Sequence, residues 1–229
     1  MRELLLIRHG QASFSAEDYD RLSPLGEQQS HLLGEWLAAC GPRPDSVAMG
    51  PRVRHRDTTR LCLQAAGVDL PVTTLAGLDE VDHLELLARL RPEFSAPGSL
   101  RAAMKQMDDP HRAFQRLFEE ALVRWTSGRH DDEYQQSWPA FRAAALEALK
   151  ALAEMPGETG WAFTSGGPIA VIASALLGAP QTHAFELSWP LVNTGVTRLR
   201  LGSRGSTLVT YNAWPHLERA NDARLVTLR

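Results

Sequence analysis

The residues best suited to chemistry follow three short apolar runs, each of which ends in a turn. The segments "LLLIRHG", "VAMGPRVR" and "WAFTSGG" supply Arg8 with His9, then Arg54, then Ser165 with Gly166. In an open α/β sheet, ligands bind at the carboxyl ends of the strands, so neighbouring strands would bring these residues together. Two guanidinium groups, an imidazole and the amides of a helix N-terminus form a strong anion site, for which phosphate is the natural occupant.

The imidazole of His9 is the reactive group of such a site. A histidine among several cations loses its proton easily, which favours a neutral, nucleophilic ring. Each feature alone also has an ordinary structural explanation: the arginines of residues 52–56 suit a solvated helix start, and the glycines of "SGGP" suit close helix packing. The recurrence of such features at the ends of three predicted strands favours a shared anion site.

Alternating strands and helices surround these residues. The segments "ELLLIRHG", "DSVAMG", "LPVTTLAGL" and "WAFT" are typical of short buried strands, and helical patterns follow three of them. The first helix has Ser23 as its N-cap and Pro24 at its first position, and the second is opened by Pro51. Two further strands joined at "GSRGS" complete the pattern. The sequence therefore predicts an α/β fold with a mainly parallel central sheet flanked by helices.

Residues 84–155 break this alternation, because they contain helical patterns and no convincing strand. One stripe at helical spacing is formed by Trp138, Phe141, Ala145, Leu149 and Leu152. We predict one α/β domain over residues 1–229, with residues 84–155 as a helical insertion or cap; a separate helical domain is the alternative. The apolar faces of the insertion suit a cap or a dimer equally, so the oligomeric state stays unknown.

Composition argues against several classes of function. The 229 residues carry a net charge of -3 and have an isoelectric point of about 6.2, so no basic field attracts nucleic acid. The apolar runs are too short for a signal peptide or a membrane helix, so we expect a cytoplasmic protein with no membrane partner. Cys40 and Cys62 show no metal-ligand spacing and are expected to be small core residues.

The order of the motifs resembles the histidine phosphatase superfamily, also called the phosphoglycerate-mutase-like family. "LLLIRHGQAS" with "DRLSPLGEQQSHLLGEWL" is similar to the opening block of that family, and "GPRVRHRDTTRL" is similar to its second block. "LDEVDHLE" resembles its Leu-x-Glu block, and "NTGVTRLRL" with "YNAWPHL" resembles its C-terminal strand segments. The resemblance implies a phosphoglycerate-mutase-like fold for most of the chain, with the middle helical region as the variable part.

The resemblance also implies a metal-independent phosphomonoesterase that needs no cofactor, since side chains supply the cations. His9 would accept the phosphoryl group as a phosphohistidine, while Arg8 and Arg54 hold the phosphate oxygens. Glu80 would protonate the leaving alcohol and then activate water. Three neighbours compete with Glu80 for this role: Asp79, Asp82 and His83.

The fourth block departs from the family pattern, because Ser165 stands where the family carries its second active-site histidine. That histidine helps to bind the phosphoryl group and to stabilise its transfer. Ser165 still donates one hydrogen bond and the amide of Gly166 remains, so we expect phosphate binding to survive while turnover falls by about 10²–10³-fold. Gln11, Ala12 and Ser15 in the first block argue against a true phosphoglycerate mutase.

Another histidine could in principle fill the gap left at Ser165. Four histidines are expected in surface or structural positions: His31, His55, His111 and His130. Two that follow the fourth block could fold back, namely His183 and His216.

Two other functions stay open from the sequence. A degenerate family member would bind phosphorylated ligands or partners with little or no turnover. Alternatively, Ser165 would be the nucleophile of a serine hydrolase, with Glu186 and His216 in the right chain order. For the leading hypothesis the substrate is a phosphorylated small molecule or a phosphoprotein, and neither the loops nor the insertion identify it.

Overall fold

A computed structural model of the chain describes residues 1–13, 20–96, 98–203 and 205–228, and only the backbone of Arg101, His111 and Thr182. These residues form two compact units. The first unit joins Met1–Glu80 to Ala144–Arg229, and the second is Val81–Ala143. In the described parts of the chain, no helix is both long enough and apolar enough to cross a membrane.

A six-stranded sheet forms the centre of the first unit. Its strands are β1 (Arg2–Arg8), β2 (Ser46–Met49), β3 (Val72–Thr74), β4 (Thr159–Thr164), β5 (Val196–Gly202) and β6 (Gly205–Ala213). The strand order is β3-β2-β4-β1-β5-β6. Strands β1 to β4 run parallel to one another, whereas β5 is antiparallel to both β1 and β6. The predicted α/β fold with a mainly parallel sheet is confirmed.

Helices account for most of the remaining regular structure in the described residues. In chain order they are α1 (Pro24–Cys40), α2 (Val53–Ala66), α3 (His83–Leu90), α4 (Ser99–Met104), α5 (Pro110–Thr126), α6 (Trp138–Glu154), α7 (Gly166–Leu177) and α8 (Pro215–Arg219). Helices α3, α4 and α5 belong to the second unit, and α6 begins in the second unit and ends in the first. Between residues 84 and 155 the described residues contain no strand.

Both faces of the sheet are buried at the centre of β1, which explains the apolar run Leu4–Ile7 in this strand. Leu4 and Leu6 point to a core that includes Ile169 and Ile172 of α7. Leu5 and Ile7 point to the opposite core, which includes residues of α1 and α2. A strand between two helical layers buries every side chain, so each β1 residue from Leu4 to Ile7 is fully buried.

The helix starts show what local sequence predicts and what it misses. The Ser23 side chain caps α1 by accepting a 3.0 Å hydrogen bond from the Gly26 amide, as predicted. Helix α2 begins at Val53 rather than at Pro51, because the carboxylate of Asp20 accepts a 2.7 Å hydrogen bond from the Val53 amide. The cap of α2 therefore comes from a residue far away in the sequence.

The two cysteines lie in different surroundings. Cys62 on α2 is fully buried in the core, as predicted. Cys40 is exposed, so its expected core position is wrong. It is the last residue of α1, beyond the turns that pack against the sheet.

The second unit has an aromatic core of its own. Trp125 of α5 packs edge-on against Trp138 and Phe141 of α6, with ring centroids 5.4 Å apart in both pairs. All three side chains are buried. This core explains why residues 81–143 hold together as a compact unit; their function as a cap stays a prediction.

Candidate active site

The carboxyl ends of three adjacent strands meet at one edge of the sheet. Arg8 pairs with Thr164 across β1 and β4, and Met49 pairs with Phe163 across β2 and β4. The chain therefore leaves these strands at the same edge, where β1 leads to His9, β2 to Gly50 and β4 to Ser165. β4 pairs with both β1 and β2, as the shared anion site requires, and the strand ends bring together residues from distant parts of the sequence.

His9 is held in one tautomer at this edge. Its side chain is only 6% exposed, and Nδ1 lies 2.7 Å from the carbonyl oxygen of Gly10. A carbonyl only accepts hydrogen bonds, so the proton of the neutral ring sits on Nδ1 and Nε2 keeps its lone pair. Burial, followed by the charges of Arg54 and Arg8, lowers the pKa of His9 well below 6.5. The ring is a neutral base at physiological pH.

Gly10 fixes the turn that carries His9. Its amide donates a 3.0 Å hydrogen bond to Oγ1 of Thr58, whose hydroxyl donates to the carbonyl of Arg54. A Cβ on Gly10 would lie 2.5 Å from the carbonyl oxygen of Gly26, so only glycine fits where this turn meets α1. The turn after β1 is thereby tied to both α1 and α2.

Arg54 brings a buried cation to the site from the first turn of α2. The side chain is 7% exposed, and Nη1 lies 3.3 Å from Oδ1 of Asp20. The other carboxylate oxygen of Asp20 accepts from the Val53 amide. A phosphate that binds Arg54 therefore competes with Asp20, a residue that the sequence analysis did not single out.

Arg8 is anchored beside the start of α7. Its Nη1 donates to the carbonyl oxygens of Leu191 and Leu228, the second at 2.7 Å. Its Nε lies 3.9 Å from the position that a Cβ on Gly166 would take. The two carbonyls hold the guanidinium close to the helix N-terminus that was predicted to bind an anion.

The carboxylate of Glu80 lies at the same helix N-terminus, the start of α7. Its Oε2 accepts a 3.2 Å hydrogen bond from the Gly167 amide. Arg52 holds this segment, because its Nη2 donates to the Glu80 carbonyl at 2.9 Å and its Nε to Asp79 at 2.5 Å. An anchored backbone therefore carries the Glu80 carboxylate.

The rivals of Glu80 have other partners. Asp79 binds Arg52 and the amide of Glu80. Asp82 caps α3 by accepting hydrogen bonds from two amides of its first turn. His83 belongs to the second unit, where its ring packs against Phe114. The contacts of these side chains thus favour Glu80 over its three neighbours.

Ser165 contacts a histidine that the sequence analysis expected elsewhere. Both Ser165 and His55 are completely buried, and Oγ of Ser165 lies 2.7 Å from Nε2 of His55. The ring centroid of His55 is 5.7 Å from that of His9. His55 was expected in a surface or structural position, and its complete burial rules out the surface position. Its place directly after Arg54 in α2 was the signal that could have revealed it.

The other histidines have different surroundings. Three are substantially exposed beside glutamates: His31, His130 and His183. His216 is buried, but its Nε2 lies 2.8 Å from Oγ1 of Thr194. The side chain of His111 and all of Ser15 lie outside the described residues.

The serine-hydrolase triad of the sequence analysis is not assembled in the described structure. The imidazole at Ser165 is that of His55, while His216 binds Thr194. Glu186 is exposed and faces His183 at 3.7 Å. That version of the Ser165 hypothesis is wrong.

This constellation can be compared with known proteins. The chain matches the histidine phosphatase superfamily (branch 1) over residues 4–96 and 100–213. It belongs to this family. Nearly the whole chain is matched, including the strand ends that carry His9, Arg54 and Ser165, so the resemblance predicted from the motifs is confirmed.

Individual relatives of the histidine phosphatase superfamily agree with this assignment. The 2,3-bisphosphoglycerate-dependent phosphoglycerate mutase of Thermobifida fusca (strain YX) is 36% identical over 88 residues, which is 35% of this chain and 35% of the mutase. Bacillus stearothermophilus YhfR shares the fold, with a TM-score of 0.68 and 19% identity over 95% of this chain and 100% of its own.

A third relative was solved with a ligand. A phosphoserine phosphatase mutant from Entamoeba histolytica in complex with phosphoserine has a TM-score of 0.62 and 19% identity, over 95% of this chain and 100% of its own. This chain is thus similar in fold to a phosphatase and similar in part of its sequence to a phosphoglycerate mutase.

Proposed function

We propose that the chain is a phosphomonoesterase that works through a phosphohistidine on His9 and uses side chains rather than a metal as its cations. The observation that carries the proposal is the 2.7 Å contact between Nδ1 of His9 and the carbonyl oxygen of Gly10. The Nδ1 proton is held by the Gly10 carbonyl, which leaves the Nε2 lone pair for attack. Arg8 and Arg54 are close enough to depress the pKa of this ring, and both would stabilise a phosphoryl group bound to it.

The reaction has two steps. Nε2 of His9 attacks phosphorus, so that a P–N bond forms as the ester P–O bond breaks, and protonated Glu80 gives its proton to the leaving alkoxide. In the second step the Glu80 carboxylate takes a proton from water. The water oxygen bonds to phosphorus while the P–N bond breaks and its electron pair returns to Nε2. Inorganic phosphate and free His9 are the products.

The contacts of two carboxylates support an anion site. Asp20 binds the Arg54 guanidinium, and Glu80 accepts from the Gly167 amide at the start of α7. Carboxylate oxygens and phosphate oxygens bind the same hydrogen-bond donors, because both are anionic acceptors. A bound phosphoryl group would replace these carboxylates as the partner of Arg54 and of the helix amides. Glu80 would then lie beside the reacting ester.

For the substrate we propose a phosphorylated small molecule. The support is the phosphoserine phosphatase relative solved with phosphoserine, together with the partial match to a phosphoglycerate mutase. A panel of phosphoserine, phosphoglycerate, sugar phosphates and a phosphopeptide tests this proposal. Preference for the phosphopeptide would replace the small-molecule substrate by a phosphoprotein.

The test of the reaction is turnover of a generic aryl phosphate by the full chain, with His9→Ala as the decisive variant. We expect turnover in the wild type and none in His9→Ala. The matched control is His31→Ala, because His31 is an exposed histidine on α1. A binding protein without activity would instead bind inorganic phosphate in calorimetry and turn over no member of a broad phosphate panel.

The intermediate distinguishes His9 from Ser165 as the nucleophile. A phosphoramidate on histidine is labile in acid, whereas a phosphate ester on serine survives acid. Rapid quenching with a radiolabelled phosphate ester should therefore give an acid-labile, base-stable label that is absent from His9→Ala. An acid-stable label lost in Ser165→Ala would move the nucleophile to Ser165.

The role of Glu80 is tested by the leaving group. Glu80→Gln should lower kcat/KM, which reports only the first step, by about 10²–10³-fold for an alkyl phosphate, whose alkoxide needs a proton. The loss should be much smaller for an aryl phosphate with an acidic phenol, because that leaving group departs unaided. Equal losses for the two substrates would contradict Glu80 as the general acid.

A further inference from the structure

Three residues at the strand ends form an interlocked group that the mechanism above does not use. Gly50 follows β2, His55 lies in the first turns of α2, and Ser165 precedes α7. The imidazole of His55 connects the other two residues. Nothing in the two-step reaction with His9 requires a second buried imidazole.

The contact between His55 and Ser165 is specific. Nε2 and Oγ lie 2.7 Å apart, and both residues are completely buried. Ser165 is the N-cap residue of α7, yet its hydroxyl makes no capping bond to that helix. The hydroxyl has instead turned to His55, so the usual role of serine at a helix start does not explain it.

Gly50 makes the room that the imidazole needs. A Cβ on Gly50 would lie 2.3 Å from Nδ1 and 2.7 Å from Cε1 of His55, and 2.5 Å from the carbonyl oxygen of Leu78. Any larger residue would push the ring away from its place. The turn after β2 is therefore shaped around His55.

The ring also lies next to the reacting group. The centroids of His9 and His55 are 5.7 Å apart, and the planes are tilted by 45°. Burial, followed by the charges of Arg54 and Arg52, lowers the pKa of His55 well below 6.5, so both rings are neutral. A phosphoryl group on Nε2 of His9 would find the Ser165 hydroxyl and the His55 ring in its surroundings.

We propose that His55 is a positioning residue for phosphoryl transfer, which orients the hydroxyl of Ser165 toward the phosphoryl group on His9. The proposal rests on the proposed function. Among the described residues no partner meets Nδ1 of His55 with full hydrogen-bond geometry, although the backbone of Gly50 lies beside it. The proposal places the ring proton on Nε2. With its proton on Nε2, His55 donates to Oγ of Ser165. The single proton of the serine is then available for a phosphoryl oxygen.

The pair thereby supplies a donor at the position where the family resemblance expects a histidine. In this chain the imidazole belongs to α2 rather than to the start of α7, and it acts through the serine. This arrangement predicts that His55 and Ser165 work as one unit, because a misaligned hydroxyl is worth little to the phosphoryl group.

The first experiment compares two substitutions of His55 that fill similar space. His55→Gln keeps an N–H donor for Ser165, whereas His55→Leu keeps only the volume. We expect kcat to fall about 10- to 100-fold in His55→Leu and to stay within roughly threefold of wild type in His55→Gln. KM should change less than kcat. Thermal melting of both variants verifies that they fold.

The second experiment is a double-mutant cycle with Ser165→Ala. If His55 acts through Ser165, His55→Leu with Ser165→Ala should be no slower than Ser165→Ala alone. Losses that multiply would mean that the two residues act separately and would overturn the proposal. Equal rates for His55→Gln and His55→Leu, or a kcat of His55→Leu equal to wild type, would overturn it too.

Failure of the proposed function gives a different pattern. If the wild type has no phosphatase activity, or if His9→Ala keeps it, the reaction assigned to His9 is wrong. The double-mutant cycle is then measured with the affinity for inorganic phosphate instead of kcat. His55→Leu and Ser165→Ala should weaken phosphate binding by equal, non-additive factors; unchanged binding in both would overturn the positioning role of His55.

Discussion

The turn after β1 and the turn after β2 each place a buried histidine near Arg54, and each depends on a glycine. Gly10 lets the first turn approach α1, where a Cβ would lie 2.5 Å from the Gly26 carbonyl. Gly50 lets the second turn accept the ring of His55. The two imidazoles are both buried and both neutral.

The partners of the two rings assign them different tasks. The backbone carbonyl of Gly10 binds Nδ1 of His9, so Nε2 is left to attack. In His55 the hydroxyl of Ser165 binds Nε2, the same atom that would have to attack. The comparison teaches that hydrogen bonds to the ring, rather than burial or charge, distinguish the proposed nucleophile from the proposed positioning group.

The largest effect should separate His9 from Ser165. We expect His9→Ala to lower turnover by about 10⁴-fold or more, because His9 is the proposed site of the covalent intermediate. Ser165→Ala should lower it only by about 10- to 100-fold, since one hydrogen-bond donor is lost. Steady-state kinetics with an aryl phosphate measure both. The opposite ranking would mean that the attacking group lies on the α7 side of the site.

Acid should destabilise the fold through both histidines. Their pKa values are depressed in the folded state, so below pH 6.5 the unfolded chain binds more protons and stability is lost as the pH falls. Each ring should contribute up to roughly 1 kcal/mol per pH unit as the pH falls below 6.5. Urea unfolding of His55→Leu should therefore show a shallower pH dependence than wild type between about pH 6.5 and 5. Identical slopes would mean that His55 is not buried as a neutral ring.

Gly50→Ala tests the second turn without changing a polar group. The added methyl collides with Nδ1 of His55 and should displace the ring from Ser165, which lowers kcat by about tenfold. Gly67→Ala is the control for the added methyl: Gly67 ends α2 and has open space around it, although its φ of 62° also makes alanine strained there. A normal kcat in Gly50→Ala, with folding intact, would show that the exact place of the ring is unimportant.

The smallest effect is expected at Asp20. Asp20→Asn removes the carboxylate charge beside Arg54 but keeps an oxygen that can cap the Val53 amide. Phosphate then competes with a weaker partner, so the affinity for inorganic phosphate should rise by about two- to fivefold. Calorimetric titration measures this change. Weaker phosphate binding in Asp20→Asn would show that Asp20 supports Arg54 rather than competing for it.

Much of the scaffold could be predicted because its signals are local. The apolar run of β1 predicted a buried strand, and Ser23 with Pro24 predicted the start of α1. The start of α2 was missed because its cap is the Asp20 carboxylate, which lies 33 residues before Val53 in the chain. A cap that comes from another segment leaves no signature in the residues around the helix start.

The motifs by themselves were sufficient to determine the family, the parallel sheet and the proximity of Arg8, His9 and Arg54 to one edge, since strand ends and block order are written along the chain. Only the tertiary structure decided what accompanies Ser165. His55 and Ser165 are 110 residues apart and meet because β2 and β4 are neighbours in the sheet. The position of a histidine in a helical sequence does not determine the direction in which its ring points. The glycine at the end of β2 and the packing of α2 provide that direction, because they leave the imidazole one place to lie.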